Sequence, residues 1–212
     1  MLKEKIDKIV LRKAKERKEE HGEYKDDVFF PSEAGKCIRN LFYEKKLQPE
    51  KPAYIYRLFL TGDLIHEWIQ KSVYNEDKSE VEIEWNEGDI KFSGRMDVLL
   101  KDRIIEFKSI KNFAYVEKKP SSQHVEQINM YMKATGIHKG TIVYIQKDNF
   151  DVLEHDVEFD KKLYNKTISR FKKLNKALIE NHPPTRLKCF GKDYCWECNY
   201  CPFKETCTEG NP

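Results

Sequence analysis

The chain lacks an apolar run of the roughly 18 residues that a membrane-crossing helix needs. It also lacks a charge excess: 39 Lys and Arg stand against 36 Asp and Glu, for a net charge of +3. So near a balance does not by itself argue for a polyanionic partner, and local basic patches must carry any such argument. The first ten residues, Met1 to Val10, hold neither the apolar core nor the small-residue cleavage site of a secretory leader. The expectation is an intracellular, cytoplasmic protein without membrane association. Gly (9) and Pro (8) are few in 212 residues, and no repeat or low-complexity linker interrupts the chain. Residues 1–212 therefore read as a single domain, large enough to bury a sizeable core. Cysteine is scarce until the tail: Cys37 stands alone, and the other five of the six lie between residues 189 and 207. A domain of this size can do without disulfides, and such clustering favours a metal centre.

Apolar spacing predicts a charged helix over 2–21 closed by Gly22, then a helix after Pro31 with Ser32 as N-cap. A long helix over 54–75 should turn Leu58, Ile65, Ile69 and Val73 inward. Clean alternation over 80–85 sets Val81, Ile83 and Trp85 on one face of a strand. Further strands are expected over 90–100, 103–109, 140–146 and 152–159, with helices over 121–135 and 160–180. Leu163, Ile168, Phe171, Leu174 and Leu178 should face inward on the last helix, which Pro183-Pro184 stops. This order implies an α/β core with a mixed sheet.

The most informative stretch runs from Gly94-Arg95-Met96-Asp97 to Glu106-Phe107-Lys108. If Lys101-Asp102 is the centre of a two-residue turn, Leu100 faces Arg103 and Asp97 faces Glu106. Opposed side chains lie about 5 Å apart at Cβ, and two carboxylates that close repel unless a cation separates them. Period two places Glu106 and Lys108 on one face, with Ile105 and Phe107 on the other. Phosphodiester hydrolysis needs such a set: Asp97 and Glu106 as hard oxygen ligands for magnesium or manganese, and Lys108 to hold the water or neutralise the phosphoryl oxygens. The spacing alone is weak and also fits a solvent-facing hairpin. His66, between Ile65 and Ile69, offers a third ligand as an alternative to simple packing. Gln127 and Tyr131, at i and i+4, offer a polar pair to orient a nucleotide or phosphate.

Taken in order, these elements resemble the RecB-like exonucleases of the PD-(D/E)xK superfamily, and within them the iron–sulfur subset that includes CRISPR-associated four-cysteine nucleases. The likeness runs from Ser32 to Cys207. The family's proline before the Asp is absent, with Met96 in its place. The resemblance implies a restriction-endonuclease-like mixed sheet flanked by helices. It implies a catalytic core over about 54–160 and a cluster region formed by about 29–43 and 186–207. It implies His66, Asp97, Glu106 and the Phe107 carbonyl as metal ligands, with Lys108, Gln127 and Tyr131 completing the catalytic set. Cys37, Cys198, Cys201 and Cys207 would hold a structural [4Fe–4S] cluster that staples the N-terminal helix to the tail. The activity implied is a manganese- or magnesium-dependent DNA exonuclease, with possible flap or endonuclease action, preferring single strands or ends. The setting is prokaryotic or viral, with CRISPR adaptation or recombination proteins as partners.

Alternatives stay open in the residues themselves. Cys195, Cys198, Cys201 and Cys207 also suit a four-thiolate zinc site, and Cys189 is a further candidate. Trp196, Tyr200 and Phe203 would shield a centre from water. Lys36, Arg39, Arg57, Arg95, Lys108 and Lys111 are candidates for phosphate contact. The loop from Ile110 to Pro120 interleaves Lys111, Phe113, Tyr115, Lys118 and Lys119, which suits single-stranded DNA and equally a solvated loop. The rival function is a non-catalytic nucleic-acid-binding module with a structural four-cysteine zinc site.

Overall fold

The computed structural model describes residues 1–20, 27–74, 78–186 and 196–209. The expected Gly22 stop, Cys189 and Cys195 lie outside them. Among the described residues, six helices and six strands follow one another: α1 (Leu2–Glu20), β1 (Val28–Phe29), α2 (Ile38–Leu47), α3 (Ala53–Val73), β2 (Ser79–Glu87), β3 (Ile90–Leu99), β4 (Ile104–Ile110), α4 (Ser122–Thr135), β5 (Lys139–Gln146), β6 (Val152–Glu158), α5 (Lys161–Ile179) and α6 (Lys204–Glu209). One mixed sheet has the order β1-β3-β4-β5-β6, with β2 also paired to β3. The β1–β3 and β4–β5 pairs are parallel, and the others are antiparallel. This is the expected α/β architecture of a mixed sheet flanked by helices.

Period two sorts β4 and β5 between two helices. On one face Ile104, Ile142 and Tyr144 pack with Ile128 and Met132 of α4. On the other, Ile105, Phe107, Val143 and Ile145 pack with Ile65 of α3. A third cluster joins α2 and α5 to β1 and the start of β3, where Phe171 meets Phe29 and Phe92 edge-on. Asp160 caps α5 by accepting from the amides of Lys162 and Leu163.

Two expectations are corrected. Ser32 does not cap a helix: Pro31–Glu33 is a single 3-10 turn, and α2 starts at Ile38 with Cys37 as N-cap. The Glu33 carboxylate accepts from the Phe30 amide at 3.0 Å, and Gly35 then takes a left-handed φ of 76°, which breaks the helix start. Leu58 and Val73 do not turn inward: they are 52% and 64% exposed, and α3 meets the sheet through Ile65 and Ile69. In the tail, Trp196–Asn199 forms a 3-10 turn ahead of α6. Among the described residues, no helix is long and apolar enough to cross a membrane.

Candidate active site and cysteine region

The site forms where β3 and β4 part. Among the described residues their ladder runs through Leu99–Ile104 and Val98–Ile105. The next pair in that register is Asp97 and Glu106, as the turn arithmetic requires, but here a side chain replaces the ladder. Asp97 Oδ2 accepts from the Phe107 amide at 2.7 Å. Its other oxygen lies 3.5 Å from His66 Nδ1, which α3 supplies.

Glu106 faces α4, as its period-two position dictates. Its Oε1 accepts from Gln127 Nε2 at 2.6 Å and from Lys108 Nζ at 2.7 Å, and Lys108 also donates to Gln127 Oε1 at 3.0 Å. Gln127 thus fixes both members of the Glu106–Lys108 pair. Tyr131, one turn on, donates to the Arg95 carbonyl at 3.1 Å. Its ring explains Gly94: a Cβ there would lie 2.8 Å from Tyr131 Cε1 and 3.0 Å from two atoms of Pro31. The glycine therefore allows α4 and the Pro31 turn to close on β3.

Asp97 is 9% exposed and Glu106 3% exposed. Burial pushes the Glu106 carboxyl up to about 7, against the pull of the Lys108 ammonium. Burial alone would lower Lys108, but the carboxylates of Glu106 and Asp97 leave it raised. Burial likewise opposes the charged form of His66, and its bond to Asp97 outweighs that, so His66 is raised too. Glu106 Oε2 is buried with no hydrogen-bond partner among the described residues. A buried carboxylate oxygen left in that state is costly unless a cation or water completes it.

The cleft has a volume of about 640 Å³. All the predicted polar side chains, His66, Asp97, Glu106, Lys108, Gln127 and Tyr131, line it. It also draws on Phe30, Pro31 and Ser32, outside the stretch expected to form the catalytic core, and on Gln70 and Glu80, which sequence reasoning missed. As the side chains stand, no three His, Cys, Asp or Glu groups among the described residues are arranged to hold a metal ion. Lys108 and Gln127 bond Glu106 Oε1, and the Phe107 amide bonds Asp97 Oδ2. The donor set still suits a hard divalent ion: two buried carboxylates, one with an unpartnered oxygen, and an imidazole.

The second region brings the tail onto α2. Cys37, Cys198, Cys201 and Cys207 are all free and half-buried. Asn40 Nδ2 donates to Cys201 Sγ at 3.1 Å, and Arg39 donates to the Cys207 carbonyl at 3.4 Å. Phe203 is buried against Tyr43, with ring centroids 5.6 Å apart. Burial pushes the Cys37 thiol up, against the pull of the Asn40 and Arg39 amides. The four free thiols lie on two docked segments, with N–H donors at two of the sulfurs, and no three of them are arranged to hold a metal ion as the side chains stand. Tyr200 does not shield this region, being 83% exposed.

Among the candidate DNA contacts, Arg39 is corrected. It is buried and bonds to the Pro184 carbonyl at 2.9 Å, so it joins α2 to the chain after α5. Arg57 is paired with Asp7, and Arg95 with Glu80 at 2.5 Å. Lys36 and Lys111 are exposed. In the loop after β4, Tyr115 is exposed while Phe113 packs into the α4-side core.

Known structures share this architecture. The crystal structure of SSO0001 aligns with a TM-score of 0.66 and 23% identity, covering 100% of this chain and 98% of that one. Two crystal structures of the alkaline exonuclease LHK-Exo from Laribacter hongkongensis, the second in complex with dAMP, align with TM-scores of 0.53 and 0.54. Their identities are 16% and 15%, over 73% and 74% of this chain and 89% of each of theirs. At these identities the likeness speaks for the fold. None of the curated proteins matches the chain. The sequence profile of one nuclease family matches residues 31–208, a span that includes the parted hairpin, the Gln127–Tyr131 helix and the four half-buried thiols. On that match the chain belongs to the PD-(D/E)XK nuclease superfamily.

Proposed function

We propose that the protein is a DNA exonuclease dependent on manganese or magnesium, acting on single strands or DNA ends. The observation that carries this reading is the unpartnered, buried Glu106 Oε2, set beside Asp97 and His66 in a cleft whose one lysine on β4 is already aimed at the carboxylates. His66, Asp97, Glu106 and the Phe107 carbonyl would hold the ion. A divalent ion supplies Lewis acidity and makes water nucleophilic near neutral pH. Lys108 then holds the attacking water, and its charge lies where phosphoryl oxygens gain negative charge. Gln127 keeps Lys108 on the carboxylate side of the cleft. Tyr131 holds β3 in place through the Arg95 carbonyl.

The exonuclease reading draws support from the shared fold of LHK-Exo, described as an alkaline exonuclease and seen with dAMP. A cleft of about 640 Å³ has room for a nucleotide. Cys37, Cys198, Cys201 and Cys207 would hold a [4Fe–4S] cluster with a structural role, since hydrolysis needs no electron transfer. By its resemblance to the CRISPR-associated four-cysteine nucleases, the proposed setting is DNA-end processing alongside CRISPR adaptation or recombination proteins.

The test is digestion of single- and double-stranded DNA, labelled at 5′ or 3′ ends, with Mn²⁺, Mg²⁺ or EDTA. Progressive release of mononucleotides or short products from single strands, abolished by EDTA, is expected. Cleavage that persists in EDTA contradicts the metal reading. Products cut only internally contradict the exonuclease reading. Iron near four atoms per chain and absorbance near 400 nm are expected after anaerobic purification. One zinc and no iron would replace the cluster with a zinc site.

A further inference from the structure

The pairing of β2 with β3 is regular on both sides of one gap. Val81 faces Met96, and Ser79 faces Val98. Glu80 and Asp97, which this register sets opposite each other, are not paired. Glu80 has a φ of 55°, in the left-handed region that side-chain-bearing residues rarely adopt. Such conformers persist where their surroundings determine them, and they concentrate at functional sites.

The surroundings of Glu80 are specific. Its Oε1 accepts from Gln70 Nε2 at 2.8 Å, and its Oε2 meets Arg95 Nε at 2.5 Å. The same Gln70 nitrogen donates to the Asp97 carbonyl at 3.3 Å. Both hydrogens of that amide are thereby used. Gln70 is buried on a helix whose apolar contact with the sheet comes from Ile65 and Ile69, so an amide at this position is not a packing requirement. It lies one turn beyond His66. Consecutive turns of α3 therefore hold the two ends of one residue: His66 stands 3.5 Å from the Asp97 carboxylate, and Gln70 bonds the Asp97 carbonyl.

We infer that Gln70 is a positioning residue for the metal site, bonding the Asp97 backbone so that its carboxylate stays aimed into the cleft, with the strained Glu80 as its anchor. The inference rests on the reading of Asp97 as a metal ligand. Residues that orient a ligand in this way typically change metal affinity by about 10–100-fold when removed. Gln70 lines the cleft but is not among the proposed ligands, so its loss should weaken metal binding more than the turnover reached at saturating metal.

The experiment titrates the purified full chain with Mn²⁺ and reads the free ion by electron paramagnetic resonance. Gln70→Leu should weaken Mn²⁺ binding at least about 10-fold. Glu80→Ala, at a half-exposed position that tolerates truncation, should weaken it by a smaller factor. Circular dichroism confirms that each variant is folded. High Mn²⁺ should restore cleavage by Gln70→Leu toward the parent rate. Parent-like Mn²⁺ affinity in either folded variant overturns the inference. An Asp97→Ala arm separates the two readings: if it binds Mn²⁺ as the parent does, the metal assignment itself has failed, and the role of Gln70 fails with it.

Discussion

The cleft and the cysteine region are both built from segments far apart in sequence, yet they are held in different ways. In the cleft, packing from both faces of the sheet sets every polar side chain: α4 delivers Gln127 and Tyr131, and α3 delivers His66 and Gln70. Its carboxylates are buried and already bonded before any ion is considered. In the cysteine region, Phe203 and two hydrogen bonds hold the tail to α2, and the four thiols remain free. The first site is organised by the core and charged for a ligand. With the proposed cluster, the second would depend on its ligand for much of its organisation, as thiolate centres in small segments commonly do.

The largest effect that would break this contrast concerns Lys108. Lys108→Met should lower the cleavage rate by about 10²–10³-fold, as loss of one charge-stabilising donor does, with the thermal midpoint nearly unchanged. A variant that cuts normally would show that the cleft's internal order is structural. Cys201→Ser should do the reverse. It should lower iron content and the 400 nm absorbance, and drop the thermal midpoint by several degrees, at about 2–4 °C per kcal/mol for a chain of this size. An unchanged midpoint would mean that the tail docks without its ligand.

The parts legible in the sequence were those written in local periodicity. Alternation marked β2, β3 and β4, and the polar break at Lys101-Asp102 set the register that opposes Asp97 to Glu106. The i, i+4 spacing put Gln127 and Tyr131 on one side of α4. What was not legible arises from tertiary contact. The strand β1 has two residues, too few to show alternation. Arg39 reads as a surface cation beside Cys37, but the chain after α5 and the tail fold over it. Gln70 looks like one polar residue among many on α3, and a left-handed Glu80 leaves no mark in composition. Helical spacing could not tell that Leu58 and Val73 would stay more than half exposed.

Smaller effects sharpen the comparison within the cleft. Gly94→Ala places a Cβ against Tyr131 and the rigid ring of Pro31, so a loss of about 1–3 kcal/mol in denaturant unfolding is expected. A neutral result would mean that α4 is free to move away from β3. His124, beside the Tyr144 hydroxyl at 2.9 Å, is lowered to about 4 by burial and by the charge of Lys108. The unfolded chain then binds the proton more readily than the folded one between pH 6.5 and about 4. Stability should be full above pH 6.5 and fall as pH drops toward 4, by at most about 1.4 kcal/mol per unit from this group. His124→Gln should flatten that part of the profile, and an unchanged slope would remove His124 as its source.

The measurement closest to the central claim compares Glu106→Ala with the parent chain for DNA cleavage and DNA binding in the same Mn²⁺ buffer. The account predicts binding within a few-fold of the parent in a gel-shift assay, and cleavage lower by at least about 10²-fold. Equal cleavage by the two proteins would contradict it.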